Sequence, residues 1–251
     1  MFTVERIGAF AVWTIDRPET KNALDQKTLS SLLAAVADAG ADRTLRAVVL
    51  TGAGGTFVSG GDLRELRNKN SVTDAESFAD AGSALCAAIE SLAVPVLAAI
   101  PGPAFGGGAE LALACDLRIG DPAARISFKQ VRMGVTTAWG TIGRLVAVVG
   151  ASAAARLLYT AQEIPAQGAL ALGLLDAVSE PGGSVALALA WAADVALGSP
   201  DAVAEMKALV RAARPDLGSR ERERFVRTWI GADHEEAVEA HFGKRPAVWK
   251  R

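Results

Sequence analysis

An α/β fold with a largely parallel sheet is the architecture that this sequence predicts, and two patterns carry the prediction. Short apolar segments rich in Val, Ile, Leu and Phe alternate with stretches whose apolar residues recur at helical spacing. Glycine-rich turns follow directly on two of the apolar segments, as strand-to-helix turns do in such folds. The 251 residues suit one large domain, or a domain with an appendage, and 51% apolar against 22% charged residues supplies a sizeable core.

Residues 3–7 and 9–15 read as two strands hinged at Gly8, after which Arg17-Pro18-Glu19 turns the chain. From Asp25, apolar Leu29, Leu32, Leu33 and Val36 predict an amphipathic helix ended by Gly40. Residues 47–50 form an apolar strand that runs into Thr51-Gly52-Ala53-Gly54-Gly55 and then Phe57-Val58-Ser59-Gly60-Gly61-Asp62. Phe78, Leu85, Ile89 and Leu92 mark a second amphipathic helix, and residues 94–100 the next strand. Pro101-Gly102-Pro103-Ala104-Phe105-Gly106-Gly107-Gly108 then leads into a helix from Ala109 to about Cys115. Short strands near 117–119 and 126–128 precede a Gly/Thr-rich loop over 134–143. From about Ser184 onward the chain reads as helical, which divides it into a core over 1–198 and a charged helical region over 199–251.

Charge and cysteine usage exclude several classes. Lys plus Arg total 26 against 28 Asp plus Glu, so no basic excess points to nucleic acid. Two cysteines, Cys86 and Cys115, make no disulfide framework and fit a reducing compartment. The N-terminus lacks a signal-peptide pattern, and the apolar run over 92–100 is interrupted by Pro95, so a soluble cytoplasmic protein without a membrane partner is expected. His234 and His241 lie two helical turns apart, unlike paired metal ligands on a helix, and read as surface or interface histidines; no metal site is expected. Cys115 reads as a small buried hydrophobe, and Arg220, Arg222 and Arg224, alternating with Glu221 and Glu223, as a solvated or interface helix.

The glycine clusters carry the chemistry. Consecutive glycines after a strand let the backbone approach a ligand and present bare N–H groups, and the second cluster opens a helix whose first N–H groups have no internal partner. Two such groups from different loops can hold one developing oxyanion, although ordinary strand-to-helix turns give the same glycine count. Gly52 to Phe57 imitates a dinucleotide fingerprint, but that motif needs a helix opening at its last glycine, where a second glycine turn follows instead.

Phe57-Val58-Ser59-Gly60-Gly61-Asp62-Leu63 resembles the first signature of the crotonase, or enoyl-CoA hydratase/isomerase, superfamily. Pro101-Gly102 with Phe105-Gly106-Gly107-Gly108-Ala109-Glu110-Leu111 and Cys115-Asp116-Leu117-Arg118 resembles its second. Arg17-Pro18 with Asn22-Ala23-Leu24, Trp139-Gly140-Thr141 with Arg144-Leu145, the stretch from Ala166 to Gly173, and Phe242 with Lys244-Arg245-Pro246 resemble further segments in the family's order. The resemblance implies a crotonase-like spiral of ββα units with a C-terminal helical oligomerisation layer, assembled as a homotrimer or dimer of trimers. It implies an acyl-CoA thioester substrate, coenzyme A being part of that substrate, and no separate cofactor. It places the two oxyanion-holding N–H groups on Gly61 and Gly107. The CoA-binding region falls on Lys21, Ala23, Ser59, Gly60, Asp62, Leu63, Arg64 and Gly106, with Lys244 approaching CoA phosphates.

Glu110 follows Gly107 by one helical turn, which aims its carboxylate toward the oxyanion donors, and apolar Leu111 and Leu113 favour a raised pKa. By resemblance it matches the first catalytic glutamate of the hydratases; a helix N-terminal acid stabilised by the dipole is the bland alternative. Where hydratases carry a second glutamate, this chain reads Phe128-Lys129-Gln130-Val131-Arg132-Met133-Gly134 and has no acid. Counting from Phe128 puts Arg132 at that site, and counting back from Gly134 puts Gln130 there. The Met-Gly and Trp-Gly-Thr sequences resemble a branch that decarboxylates malonyl-type thioesters, a reaction needing no base at carbon. The expectation is therefore decarboxylation, with Arg132 binding the departing carboxylate and Trp139 shaping the acyl pocket. Hydration through Glu110, or a noncatalytic CoA-binding homologue, are the alternatives. Val203, Met206, Leu209 and Val210, and later Phe225, Trp229 and Ile230, are expected to present uncovered apolar faces for assembly.

Overall fold

In the computed structural model, which describes residues 1–67, 69, 71–214 and 218–249, the apolar runs pair into a six-stranded sheet. β1 (Phe2–Ile7) and β2 (Phe10–Ile15) form an antiparallel hairpin turned at Gly8. β3 (Ala47–Gly52), β4 (Val96–Ile100), β6 (Leu117–Gly120) and β9 (Ala177–Val178) then add in parallel, in the order β1-β2-β3-β4-β6-β9. β5 (Pro103–Phe105), β7 (Arg125–Ser127) and β8 (Ile164–Pro165) make a separate three-stranded sheet that periodicity alone does not announce, because strands this short carry no pattern.

All six residues of β3 are buried, since both faces of the sheet are covered. Val48 and Leu50 join the main core, while Ala47 and Val49 face the opposite way with Leu97, Ala99 and Ile119. That second face is closed by Ala188 and Ala192 of α7 (Ser184–Ala196). On the main side lie α1 (Gln26–Ala41), α2 (Leu63–Leu66), α3 (Val72–Ser91), α4 (Gly107–Ala114), α5 (Thr141–Thr160) and α6 (Ala166–Ala171).

Asp25 caps α1 by accepting from Thr28 N at 2.7 Å, and Ser71 and Asp74 form a reciprocal box at the start of α3. Gly40 does not end α1, which continues to Ala41; it packs close to Leu92, where a methyl group would lie 3.7 Å from that side chain. The expected 134–143 loop is shorter than predicted because α5 begins at Thr141. α5 breaks at Gly150, whose φ of +75° and ψ of 161° are not helical, so neither half reaches the roughly 20 residues of a membrane span.

The tail follows expectation only in part. α8 (Pro200–Ala212) leaves Met206, Leu209 and Val210 exposed, and buries Lys207, whose Nζ donates to Ile89 O and Val94 O at 3.0 Å each and pairs with Asp116 at 2.8 Å. α9 (Gly218–Trp229), however, turns back onto α3. Phe225 and Trp229 are 3% exposed and pack on Phe78, with ring centroids 6.2 Å and 5.6 Å away, so their apolar face is covered by this same chain. α10 (Ala232–Phe242) follows; residues 215–217 and 250–251 of the tail lie outside the described residues.

Asn22 ties the N-terminal turn to the loop after β3. It is fully buried, donates to Ala53 O at 2.9 Å and Thr56 O at 2.7 Å, and accepts from Arg17 N at 2.8 Å. Asn22→Ala leaves these backbone groups without partners and is expected to cost about 2–4 kcal/mol in urea denaturation, the desolvation cost of unsatisfied buried groups.

Candidate active site

Parallel pairing of β3 with β4 sets the loops that follow both strands side by side at the carboxyl edge of the sheet. Two isolated parallel bridges, Leu24 with Gly61 and Val58 with Ala104, fix their register. Leu24 N donates to Gly60 O at 2.8 Å, and Asp62 N donates to Leu24 O at 2.9 Å. In a parallel bridge the central residue's own N–H points to the other side, so the Gly61 N–H faces away from Leu24 and toward the cavity that Gly61 lines. Gly107 opens α4, and its N–H has no partner within the helix. Gly60 at φ +118° and Gly106 at φ +52° adopt conformations that other residues rarely take. A methyl on Gly60 would lie 3.8 Å from Gly107 N, so the two turns are in contact.

Glu110, one turn along α4, is 4% exposed and held by four donors. Gln130 Nε2 donates to its Oε1 at 2.6 Å. Its Oε2 accepts from Ala138 N at 3.3 Å, Trp139 N at 3.1 Å and Thr141 Oγ1 at 2.5 Å. Burial pushes its carboxyl up to about 7, the charge of Glu221 adds to the rise, and the hydrogen bonds from Thr141, Gln130 and Trp139 oppose it. The group is therefore poised to gain and lose a proton near neutrality.

Ser59, Gly60, Gly61, Leu63, Gly106, Gly107, Glu110, Gln130, Arg132 and Trp139, all singled out by sequence, line one cavity of about 300 Å³. Of the two residues that counting left open, Gln130 is the one against Glu110. Arg132 is exposed, and its guanidinium donates to Thr160 O at 3.1 Å. Trp139 is buried under Gly107, where a Cβ would come 2.7 Å from its ring, and it packs at a tilt against Phe78. Lys21, Ala23, Asp62, Arg64 and Lys244 do not line this cavity. Lys21 O accepts from Ser59 N at 3.1 Å, and buried Asp62 pairs with Arg17 at 3.0 Å and caps α2. Arg64 and Lys244 are exposed, the latter just beyond α10. Gly52 to Phe57 opens no helix; the next helix starts only at Leu63.

The C-terminal tail supplies what sequence reading missed. Phe225, Trp229, His234 and His241 line the cavity too. His234, expected at the surface or an interface, is 6% exposed and packed within this chain. Its Nδ1 lies 2.6 Å from Met133 O and so carries the hydrogen, and burial lowers its pKa. Glu221 is 5% exposed and accepts from Thr141 N at 3.0 Å and Ile142 N at 3.1 Å, capping α5, whose N-cap is Gly140. The signal was present in the spacing: Glu221, Phe225 and Trp229 recur every four residues along one helical face. Cys86 and Cys115 are buried, and burial pushes the Cys86 thiol up to about 12.

The model of the enoyl-CoA hydratase/isomerase family matches residues 5–251. The short-chain-enoyl-CoA hydratase of Clostridium acetobutylicum is 35% identical over 247 residues, covering 96% of this chain and 94% of that one. The crotonyl-CoA hydratase of Syntrophomonas wolfei is 36% identical over 179 residues, covering 71% and 68%. Among solved structures, an enoyl-CoA hydratase from Mycobacterium avium subsp. paratuberculosis superposes with a TM-score of 0.87 at 26% identity, covering 100% of this chain and 98% of that one.

A raised carboxyl pKa is a load on folding. Below the ordinary value of 4.5 Glu110 is neutral in both states; between 4.5 and about 7 the carboxyl ionises in the unfolded chain but stays protonated in the fold, so stability falls across that window and levels off above it. Glu110→Gln is expected to flatten the stability profile between these pH values and to stabilise the protein by roughly 3 kcal/mol above them, read by denaturant titration at several pH values.

Proposed function

The chain belongs to the enoyl-CoA hydratase/isomerase family, and on that premise we propose that it adds water across the double bond of a short 2-enoyl-CoA thioester, with Glu110 as its acid–base group. The observation that carries this reading is the position of Glu110, buried at the junction of the two glycine turns with its carboxyl pushed up to about 7. The thioester oxygen is received by the N–H groups of Gly61 and Gly107, which polarise the conjugated double bond. Glu110 takes a proton from water as the water oxygen bonds to C3, and the C2=C3 electron pair moves onto the thioester oxygen as an enolate. The carboxyl then returns its proton to C2, which restores the carboxylate. Oε1 is the working oxygen, because Oε2 already accepts from three donors and Oε1 from Gln130 alone.

Gln130 stands where a second acid was sought. Its Oε1 is buried without a partner, so when Glu110 is protonated the amide can turn over and accept the carboxyl hydrogen. One carboxylate with an adaptable amide partner thus serves both halves of the proton transfer. The expectation of malonyl-type decarboxylation loses its footing: the relatives above are hydratases by name, and the Arg132 guanidinium is directed to Thr160 O. A purely binding homologue is disfavoured by a donor set concentrated on one buried carboxylate.

Assembly as a trimer or dimer of trimers belongs to the same proposal, supported by the exposed Met206, Leu209 and Val210 of α8, with Lys244 offered to the CoA phosphates. Light scattering is expected to give three or six times 25.9 kDa; a mass of one chain would contradict it.

Incubation with crotonyl-CoA, methylmalonyl-CoA and ethylmalonyl-CoA, with products identified by mass, is expected to yield the 3-hydroxyacyl thioester and no CO₂. Gly107→Pro, checked for folding by circular dichroism, is expected to lower hydration by roughly 10² to 10³. Release of CO₂ without hydration would overturn the proposal.

A further inference from the structure

Glu110 is approached by charged and titratable groups from every element around it. On α3, Cys86 is neutral at physiological pH, and Glu90 is paired with Arg144 at 2.7 Å and Arg214 at 3.1 Å. On α5, Arg144 is committed to that pair. On the turn after β7, Lys129 is paired with Glu163 at 2.5 Å, and Arg132 is exposed. On α10, burial disfavours the charged form of His234, while His241 is exposed. The remaining group is Glu221 of α9. It is buried, and among the described residues it makes no ion pair.

Thr141 joins the two glutamates directly. Its backbone N–H donates to Glu221 Oε1 at 3.0 Å, and its hydroxyl donates to Glu110 Oε2 at 2.5 Å. The residue whose amide Glu221 caps and the closest donor to the Glu110 carboxylate are thus the same, Thr141. The stripe that carries Glu221 also carries Phe225 and Trp229, which wall the cavity and pack on Phe78. Arg222, beside it, anchors the outer face of α9 to Asp80 of α3 at 2.9 Å.

We propose that Glu221 is a positioning residue for the reaction: acting through Thr141, it sets the orientation and the electrostatic field of Glu110, so that docking of the C-terminal helix and completion of the acid–base site are one event. Glu221 and the Thr141 hydroxyl act on Glu110 in opposite senses. The Glu221 charge favours a protonated Glu110, and the Thr141 hydroxyl favours an ionised one. Removing each separately should therefore move the Glu110 titration in opposite directions. A helix cap without this role would behave differently, because either change would merely loosen the site, admit water and lower the midpoint.

The proposal rests on reading Glu110 as the acid–base group, but its test reads the carboxyl itself and needs no substrate. Infrared spectroscopy of the full-length protein follows the protonated carboxyl band against pH, the band being assigned by its absence from Glu110→Gln. Glu221→Gln is expected to lower the Glu110 midpoint by about one unit, and Thr141→Val to raise it by about half a unit. Shifts of the same sign, or no shift in either variant, would overturn the proposal. Should Glu221→Gln fail to fold, Glu221→Asp, which draws the charge back from the Thr141 amide, is read in its place: a midpoint below that of the unsubstituted protein, together with the rise in Thr141→Val, supports the proposal, and an unchanged or higher midpoint overturns it. Loss of hydration activity without these shifts would count against Glu221 and leave the proposed reaction standing; the shifts without any hydration of crotonyl-CoA would do the reverse.

Discussion

Burial of one carboxylate organises this molecule. Glu110, with 4% of its surface exposed, requires donors on both oxygens, since a carboxyl removed from water without them costs several kcal/mol. Those donors come from one stretch of chain, residues 130–141, that lies 20 to 31 positions beyond Glu110: Gln130 from the turn after β7, the amides of Ala138 and Trp139 from the loop before α5, and the Thr141 hydroxyl from the first turn of α5. Each must itself be fixed. Trp139 is wedged between Gly107 and Gly82, where a Cβ would come 1.9 Å from its ring. Arg144, one turn into α5, holds the Trp139 carbonyl and is locked in turn by Glu90 of α3. Glu221 of α9 closes the arrangement by capping α5.

The opposite requirement governs the glycine turns, which must leave their N–H groups without partners. The sheet accomplishes this through register. The bridge between Leu24 and Gly61 uses the Gly60 carbonyl and the Asp62 amide, and so turns the Gly61 amide outward. The start of α4 frees the Gly107 amide by helix geometry alone. Around one cavity of about 300 Å³ stand a carboxylate held by four donors and two amides without a hydrogen-bond partner among the described residues, and in the proposed reaction these supply the acid–base group and the anion cradle that enolate chemistry on a thioester needs.

Much of this was legible from the residues. Strand-to-turn handovers at Gly52 and Ile100 followed from apolar runs ending in glycine, and Glu110 followed from its one-turn distance to Gly107. The second position near Glu110 was ambiguous because counting along a loop of uncertain length cannot choose between Gln130 and Arg132, whereas packing of the turn does. The three-stranded sheet was hidden by strands of two and three residues. The tail was the largest misreading. Charge alternation around Arg220 to Arg224 suggested a solvated or interface helix, and Arg220 and Arg224 are indeed exposed, yet Glu221, Phe225 and Trp229 face inward and His234 is buried with them. Amphipathic periodicity identifies an inner face; it does not say which surface that face covers.

The proposed reaction depends on where the thioester oxygen rests. A crystal structure with a bound acetoacetyl-CoA or other unreactive acyl-CoA thioester tests it most directly. The expected result places that oxygen about 2.7–3.1 Å from both Gly61 N and Gly107 N, with Glu110 Oε1 facing C2 and C3 of the acyl chain. An oxygen bound away from these two amides, or an acyl chain that does not reach Glu110, would contradict it.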